Sequence, residues 1–240
     1  MPIFAEVKKT KKAKGILIMK SIKWWKFAGV LLVLYALVGG LLLPVPQLPI
    51  LAQSIRNLYY HVPMWFGMLS LLVASAVYGL RFLMKKDLVQ DIYSESYARI
   101  GMLYGCMGLL TGMIWAKNTW GAYWTNDPKL NSAAIGMLMY AAYFVLRSSI
   151  EDEEKKARIS AVYNLFTLPV FVVLIFVLPR LTASLHPGNG GNPGFNSYDL
   201  DSRLRLVFYP AVLGWIFIGF WLADLQTRMK KIEFKKVQED

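Results

Sequence analysis

A chain of 240 residues that is 56% hydrophobic, 14% aromatic and only 18% charged carries more apolar side chain than an ordinary soluble domain of its size can bury. Its formal net charge of +12 would suit nucleic acid if the basic residues formed one patch interleaved with aromatics, but they flank apolar runs instead. That pattern argues against nucleic acid as a partner and for membrane lipid.

The N-terminal tail, residues 1–26, is Lys-rich and leads into an apolar segment like the front of a secretory signal. Leu41-Leu42-Leu43-Pro44-Val45-Pro46 follows where a small-x-small cleavage site would stand, so a retained first span is expected. With charges and prolines as boundaries, apolar runs of helix-spanning length fall at about 27–43, 62–83, 98–116, 131–147, 161–179 and 206–223. Residues 27–223 thus read as one all-α, polytopic membrane bundle of six transmembrane helices, followed by a basic C-terminal tail, 224–240. Pro169 should kink the fifth span by removing a backbone donor. Cys106, the one cysteine, lies inside an apolar run and is expected to be a small core residue.

Lys and Arg accumulate in loops that stay cytoplasmic. Of the 27 here, 21 fall in the N-terminal tail, the second loop (Arg81, Lys85, Lys86, Arg99), the fourth loop (Arg147, Lys155, Lys156, Arg158) and the C-terminus. Both termini are therefore expected in the cytoplasm, with 44–61, 117–130 and 180–205 facing outward. In the first of these, Pro44, Pro46 and Pro49 stop the helix, and Ile50, Leu51, Ile55 and Leu58 recur at helical spacing, which predicts a short helix lying in the interface. The third contains a Gly- and Asn-rich stretch from Gly188 to Gly194 whose backbone is expected to move until something binds.

The chain has only two histidines, and this topology places both on the outer side: His61 at the start of the second span and His186 beyond the end of the fifth. Two imidazoles from separate segments can supply both axial positions of a haem. The chain lacks C-x-x-C-H, so any such haem is held non-covalently. Zinc would want three or four ligands, which only carboxylates could complete. The bland alternative for each histidine is an interfacial polar side chain.

The outward loop 115–130 contains Trp115, Trp120, Tyr123, Trp124 and Asp127. An anchoring belt is the ordinary reading of such aromatics. The spacing of Trp120, Trp124 and Asp127 offers another: on a helical turn they would share one face, a flat apolar platform ending in a carboxylate. A porphyrin is flat and apolar with anionic propionates, which Arg56 and Lys129 could meet, with Arg180 a weaker third.

Trp120-Gly121-x-x-Trp124-x-x-Asp127 resembles the tryptophan-rich "WWD" signature of haem-handling membrane proteins. With six spans, Arg56 five residues before His61, His61-Val62-Pro63, and Leu185-His186-x-Gly188, the chain from about residue 24 resembles the haem-handling C component (CcmC) family of cytochrome c maturation. It departs from typical members at Tyr123, Asn126, Pro128 and Lys129, and at Leu181, where a Trp often precedes the second histidine. The resemblance implies a non-enzymatic protein of the bacterial inner membrane that binds haem b at the periplasmic or outer face. His61 and His186 would be axial ligands, with Trp115, Trp120, Tyr123, Trp124 and Asp127 cradling the haem and Arg56 and Lys129 meeting the propionates. It also implies delivery to a CcmE-like haem chaperone and association with ABC-type Ccm transporter subunits. A b-type haem redox protein coupled to quinol is the alternative. That activity usually wants ligands at two depths.

Overall fold

The structure, a computed structural model, describes residues 23–48, 50–186 and 200–239. The Lys-rich stretch before residue 23, Pro49 and the Gly-rich stretch 188–194 lie outside the described residues. The described chain is helical, and six helices in it are long and apolar enough to cross a membrane.

Helix α1 is Trp24–Leu42; Leu43 turns extended at its C-cap, as the residue before Pro44 must avoid helical backbone. A 3-10 helix, Ala52–Asn57, then runs without a break into α2, Leu58–Lys85. The expected interfacial helix is thus the leading turns of the second span. Ile55 is buried with Ala36, Val45, Tyr59 and Phe208, so its apolar side packs on protein, whereas Ile50 is exposed. Helix α2 ends on Lys86, which takes a left-handed conformation (φ 53), and Asp87 caps α3, Leu88–Trp120, by accepting from the Val89 N–H at 2.9 Å. Helix α4 is Pro128–Ser148. Helix α5 is Glu153–Val172, capped by Asp152. A π-helical turn, Val173–Val177, begins four residues after Pro169, and Leu178–Leu181 ends the run. Helix α6 is Ser202–Glu239.

Helix α2 is the centre of the bundle: α3 packs along it, α5 and α6 flank it, α1 rests on α6, and α4 on α5 and α3. Met64, Met68, Leu71, Leu72, Tyr104 and Tyr140 form the main core. Alternating helix directions put the α1–α2 connection, the α3–α4 loop and the end of α5 at one end, which carries both histidines. The α2–α3 and α4–α5 turns lie at the opposite, basic end.

Two expectations fail there for one reason. The loop expected at 84–97 is a two-residue link followed by the first turns of α3, and the supposed tail 224–239 continues α6. Charged residues were taken as boundaries, but several are paired inside the bundle. Arg147, expected in a basic loop, is buried near the end of α4, with a bidentate pair to Asp91 (2.7 and 2.7 Å) and a further bond to Glu95 at 3.3 Å. Glu95 also meets Lys230 of α6. Lys26 is buried 3.5 Å from Asp224, between the rings of Trp25 and Trp221. Cys106, expected in the core, is exposed on α3, because the buried side of that helix carries Gly101, Tyr104, Gly105 and Gly108 instead.

Removing Arg147 would leave Asp91 buried without its guanidinium. Arg147→Ala should lower stability by about 3–5 kcal/mol, read as a fall in the thermal midpoint of the detergent-solubilised protein. Arg147→Lys, which keeps the charge but not the planar fork, should lose less. An unchanged midpoint in the alanine variant would contradict this account.

Candidate functional site

His61 sits in the first turn of α2 with its ring against α3. Its Nδ1 lies 2.9 Å from the Gly108 carbonyl oxygen and 3.3 Å from Thr111 Oγ1. Thr111 spends its own proton on the Met107 and Gly108 carbonyls (2.8 and 3.1 Å). A carbonyl only accepts, so the proton is on Nδ1 and the lone pair on Nε2. Glycine makes this approach possible: a Cβ on Gly112 would stand 2.6 Å from His61 Cε1, and one on Gly108 would stand 2.9 Å from Trp65 Cε2. Trp115 and Trp65 enclose the imidazole at 5.8 and 6.2 Å between ring centroids, inclined at 77° and 75°. Trp115 is steadied by an N–H bond to Ser54 Oγ at 3.2 Å.

The second half is organised by Asp127, which is 3% exposed. It caps α4, with Oδ1 accepting from the Lys129 and Leu130 N–H groups at 2.9 and 3.3 Å. Its Oδ2 accepts from Ser184 Oγ at 2.9 Å and the Leu185 N–H at 2.7 Å. His186 Nδ1 lies 3.1 Å from Oδ1. Burial alone would raise this carboxyl, but the bonds from His186, the Leu185 N–H and Ser184 outweigh it and hold Asp127 well below the usual carboxylate range. An ionised carboxylate accepts, so His186 too carries its proton on Nδ1 and presents Nε2. Trp120 stands edge-on to this ring, 4.9 Å between centroids and inclined at 70°.

The expected platform takes a different shape. Trp120, Trp124 and Asp127 share no helical face, because α3 ends at Trp120 and Gly121 turns the chain at φ 83, where an L side chain would be strained. Trp120 packs on His186; Trp124 and Tyr123 are exposed beyond it. The Trp124 N–H reaches Asn131 Oδ1 at 3.2 Å, and Lys117 lies over the Tyr123 ring at 5.7 Å. Asp127 is the buried joint between the loop and the His186 segment, not the rim of an aromatic shelf. Arg56 donates from Nη1 to the Gly40 and Leu43 carbonyls at 2.7 and 2.8 Å, closing the end of α1 and tying the 3-10 helix to it. Lys129 stands in the first turn of α4 beside Asp127, its N–H bonded to Asp127 Oδ1 at 2.9 Å. The structure therefore brings His61, His186, Trp115, Trp120, Asp127 and Lys129 to one end of the bundle, with Arg56 on its α1 side.

Sequence reasoning missed Gly108, Thr111, Gly112, Trp65 and Ser184. Gly108 and Gly112 carried a legible signal, since two glycines four apart on an apolar helix mark a close approach.

Residues 4–238 match the family model described as heme exporter protein C. A heme exporter protein C of Rhodobacter capsulatus is 26% identical over 227 residues, covering 92% of this chain and 91% of its own. That of Escherichia coli is 25% identical over 186 residues, covering 75% and 69%. A cytochrome c biogenesis protein CcsA of Prochlorococcus marinus is 37% identical over a shorter stretch of 81 residues, 33% of this chain and 26% of its own. With a family model spanning nearly its whole length and a bundle of six membrane-spanning helices that gathers both histidines at one end, the chain belongs to the heme exporter protein C (CcmC) family.

Proposed function

We propose that this protein takes haem b as non-covalent cargo at the histidine end of the bundle and passes it to a haem chaperone of the CcmE kind in cytochrome c maturation, alongside ABC-type transporter subunits. The observation that carries the reading is that both imidazoles have Nδ1 engaged by an acceptor, which leaves both Nε2 lone pairs for a metal. A ligating imidazole stands upright on a porphyrin. Indoles inclined at 70° to 77° to the two imidazoles can therefore lie along the flat of such a ring. The exposed Trp124 and Tyr123 extend that apolar surface outward. Lys129 is the cation best placed for a propionate, while Arg56 holds the 3-10 helix beside it. The hydroxyls of Thr119 and Thr125 are buried in this loop without a partner among the described residues, so the loop has polar capacity to spare for a ligand.

The basic end would face the cytoplasm and the histidine end the periplasm or outside of the inner membrane, as the distribution of lysine and arginine favours. Both termini then lie in the cytoplasm. Transfer in this reading is ligand exchange, with no bond to the porphyrin carbon skeleton made or broken. Electron transfer across the bilayer wants ligands at two depths, and here both histidines occupy the same end.

The purified protein should show the spectrum of low-spin haem b. His61→Ala and His186→Ala should each weaken or abolish it. An unaltered spectrum in both variants would remove the basis of the proposal. Gly112→Val, whose added carbons would occupy the place of the His61 ring, should reduce bound haem by about tenfold or more, the loss expected when a ligand's supporting contacts go. Its thermal midpoint checks that the bundle has survived. Full haem loading at an unchanged midpoint would show that His61 does not depend on that approach.

A further inference from the structure

The two imidazoles are held by chemically different partners. His61 gives its Nδ1 proton to a neutral peptide carbonyl, at 2.9 Å, which it shares with Thr111. His186 gives its proton to the carboxylate of Asp127, which is 3% exposed and also accepts from the Ser184 hydroxyl and the Leu185 N–H. Bonds to an ionised acceptor are stronger than bonds to a neutral one, and they raise the electron density, and so the ligand strength, of the far nitrogen. Their backbone settings differ as well. His61 is part of a long helix, with its ring wedged between Gly112, Trp65 and Trp115. His186 follows the end of the helical run at Leu181, and Ser184, Leu185 and His186 all meet Asp127.

We infer that the axial ligands are unequal by construction: Asp127, as a positioning residue, makes His186 the stronger and His61 the weaker ligand, so that hand-off begins with exchange at the His61 side. This rests on the haem-binding reading above. In the step proposed, the iron–Nε2 bond to His61 breaks and the lone pair returns to that nitrogen. A neutral donor from the acceptor protein takes the vacated position. No electron is transferred, and the proton on His61 Nδ1 stays where it is. Bond strength and geometry favour the same order. The His61 ring is held at Nδ1 by the Gly108 carbonyl and flanked by Trp65 and Trp115 on a long helix, whereas the non-helical His186 segment can move with the iron once released from Asp127.

The test uses the full-length, haem-loaded protein in detergent, reduced and exposed to carbon monoxide, which replaces the weaker axial ligand. The iron–carbon and carbon–oxygen stretching bands of the wild-type adduct should coincide with those of His61→Gly, where only His186 is available opposite the gas, and differ from those of His186→Gly. In the ferrous five-coordinate variants without carbon monoxide, the iron–imidazole stretch should lie higher in His61→Gly than in His186→Gly. Asp127→Asn, which can still cap α4, should lower the first and leave the second in place. Its haem should also have a higher reduction potential than the wild type. A wild-type adduct that matches His186→Gly, or equal stretches that ignore Asp127→Asn, would overturn the inference while leaving the haem site intact. A wild-type protein that binds no haem is a separate failure, of the proposed function itself. The carbon monoxide comparison needs no change at Asp127, so it decides the matter even if Asp127→Asn does not fold.

Discussion

Asp127 ties the start of α4 to the segment that follows α5. A carboxylate buried to this extent is costly unless its lone pairs are filled, and here backbone N–H groups at the start of α4, the Ser184 hydroxyl, the Leu185 N–H and the His186 ring supply the donors. Satisfying that charge fixes the position of the tryptophan loop relative to the segment after α5. His186 comes to stand against Trp120 as a consequence. The helix N-terminus adds its own partial positive charge, so the residue that begins α4 also anchors the second imidazole.

On the opposite side the constraint is steric. His61 reaches its place because α3 offers glycine where the ring must lie, and the Gly108 carbonyl can then receive the Nδ1 proton. The two halves thus use different physics: close packing with a neutral carbonyl at His61, buried charge on a non-helical segment at His186.

Much of this was legible in the residues. Apolar run length predicted the six spans, and the placement of lysine and arginine against the two histidines marked one end of the bundle as distinct. Tryptophan spacing singled out the loop whose Trp120 packs on His186. What failed is instructive. Treating charge as a helix boundary shortened α3 and α6, because no local pattern reveals that Asp91 and Glu95 meet Arg147, 56 and 52 residues away. Treating the Trp120–Asp127 spacing as helical ignored Gly121, whose left-handed backbone stops α3 after Trp120. Both errors came from long-range pairing or a single backbone torsion, neither of which periodicity can encode. The partner of each imidazole was beyond sequence reasoning for the same reason: Gly108 is 47 residues from His61, and Asp127 is 59 from His186.

The same contacts bear on which metal chemistry the site can support. A zinc site would need carboxylates to complete the coordination that two imidazoles begin. Asp127 is the nearby carboxylate, but its oxygens face backbone donors, Ser184 and the Nδ1 side of His186, on the opposite edge of the ring from the free Nε2. It cannot bind a metal at Nε2 without abandoning the bonds that position His186. Among the described residues no group of three or more His, Cys, Asp or Glu is gathered for a metal ion. Two imidazoles with no third ligand gathered among the described residues suit an ion whose remaining positions are already filled, and a porphyrin supplies four nitrogens in a plane. The arrangement thus supports the haem reading proposed above, in which the indoles beside both rings would offer a porphyrin an apolar surface.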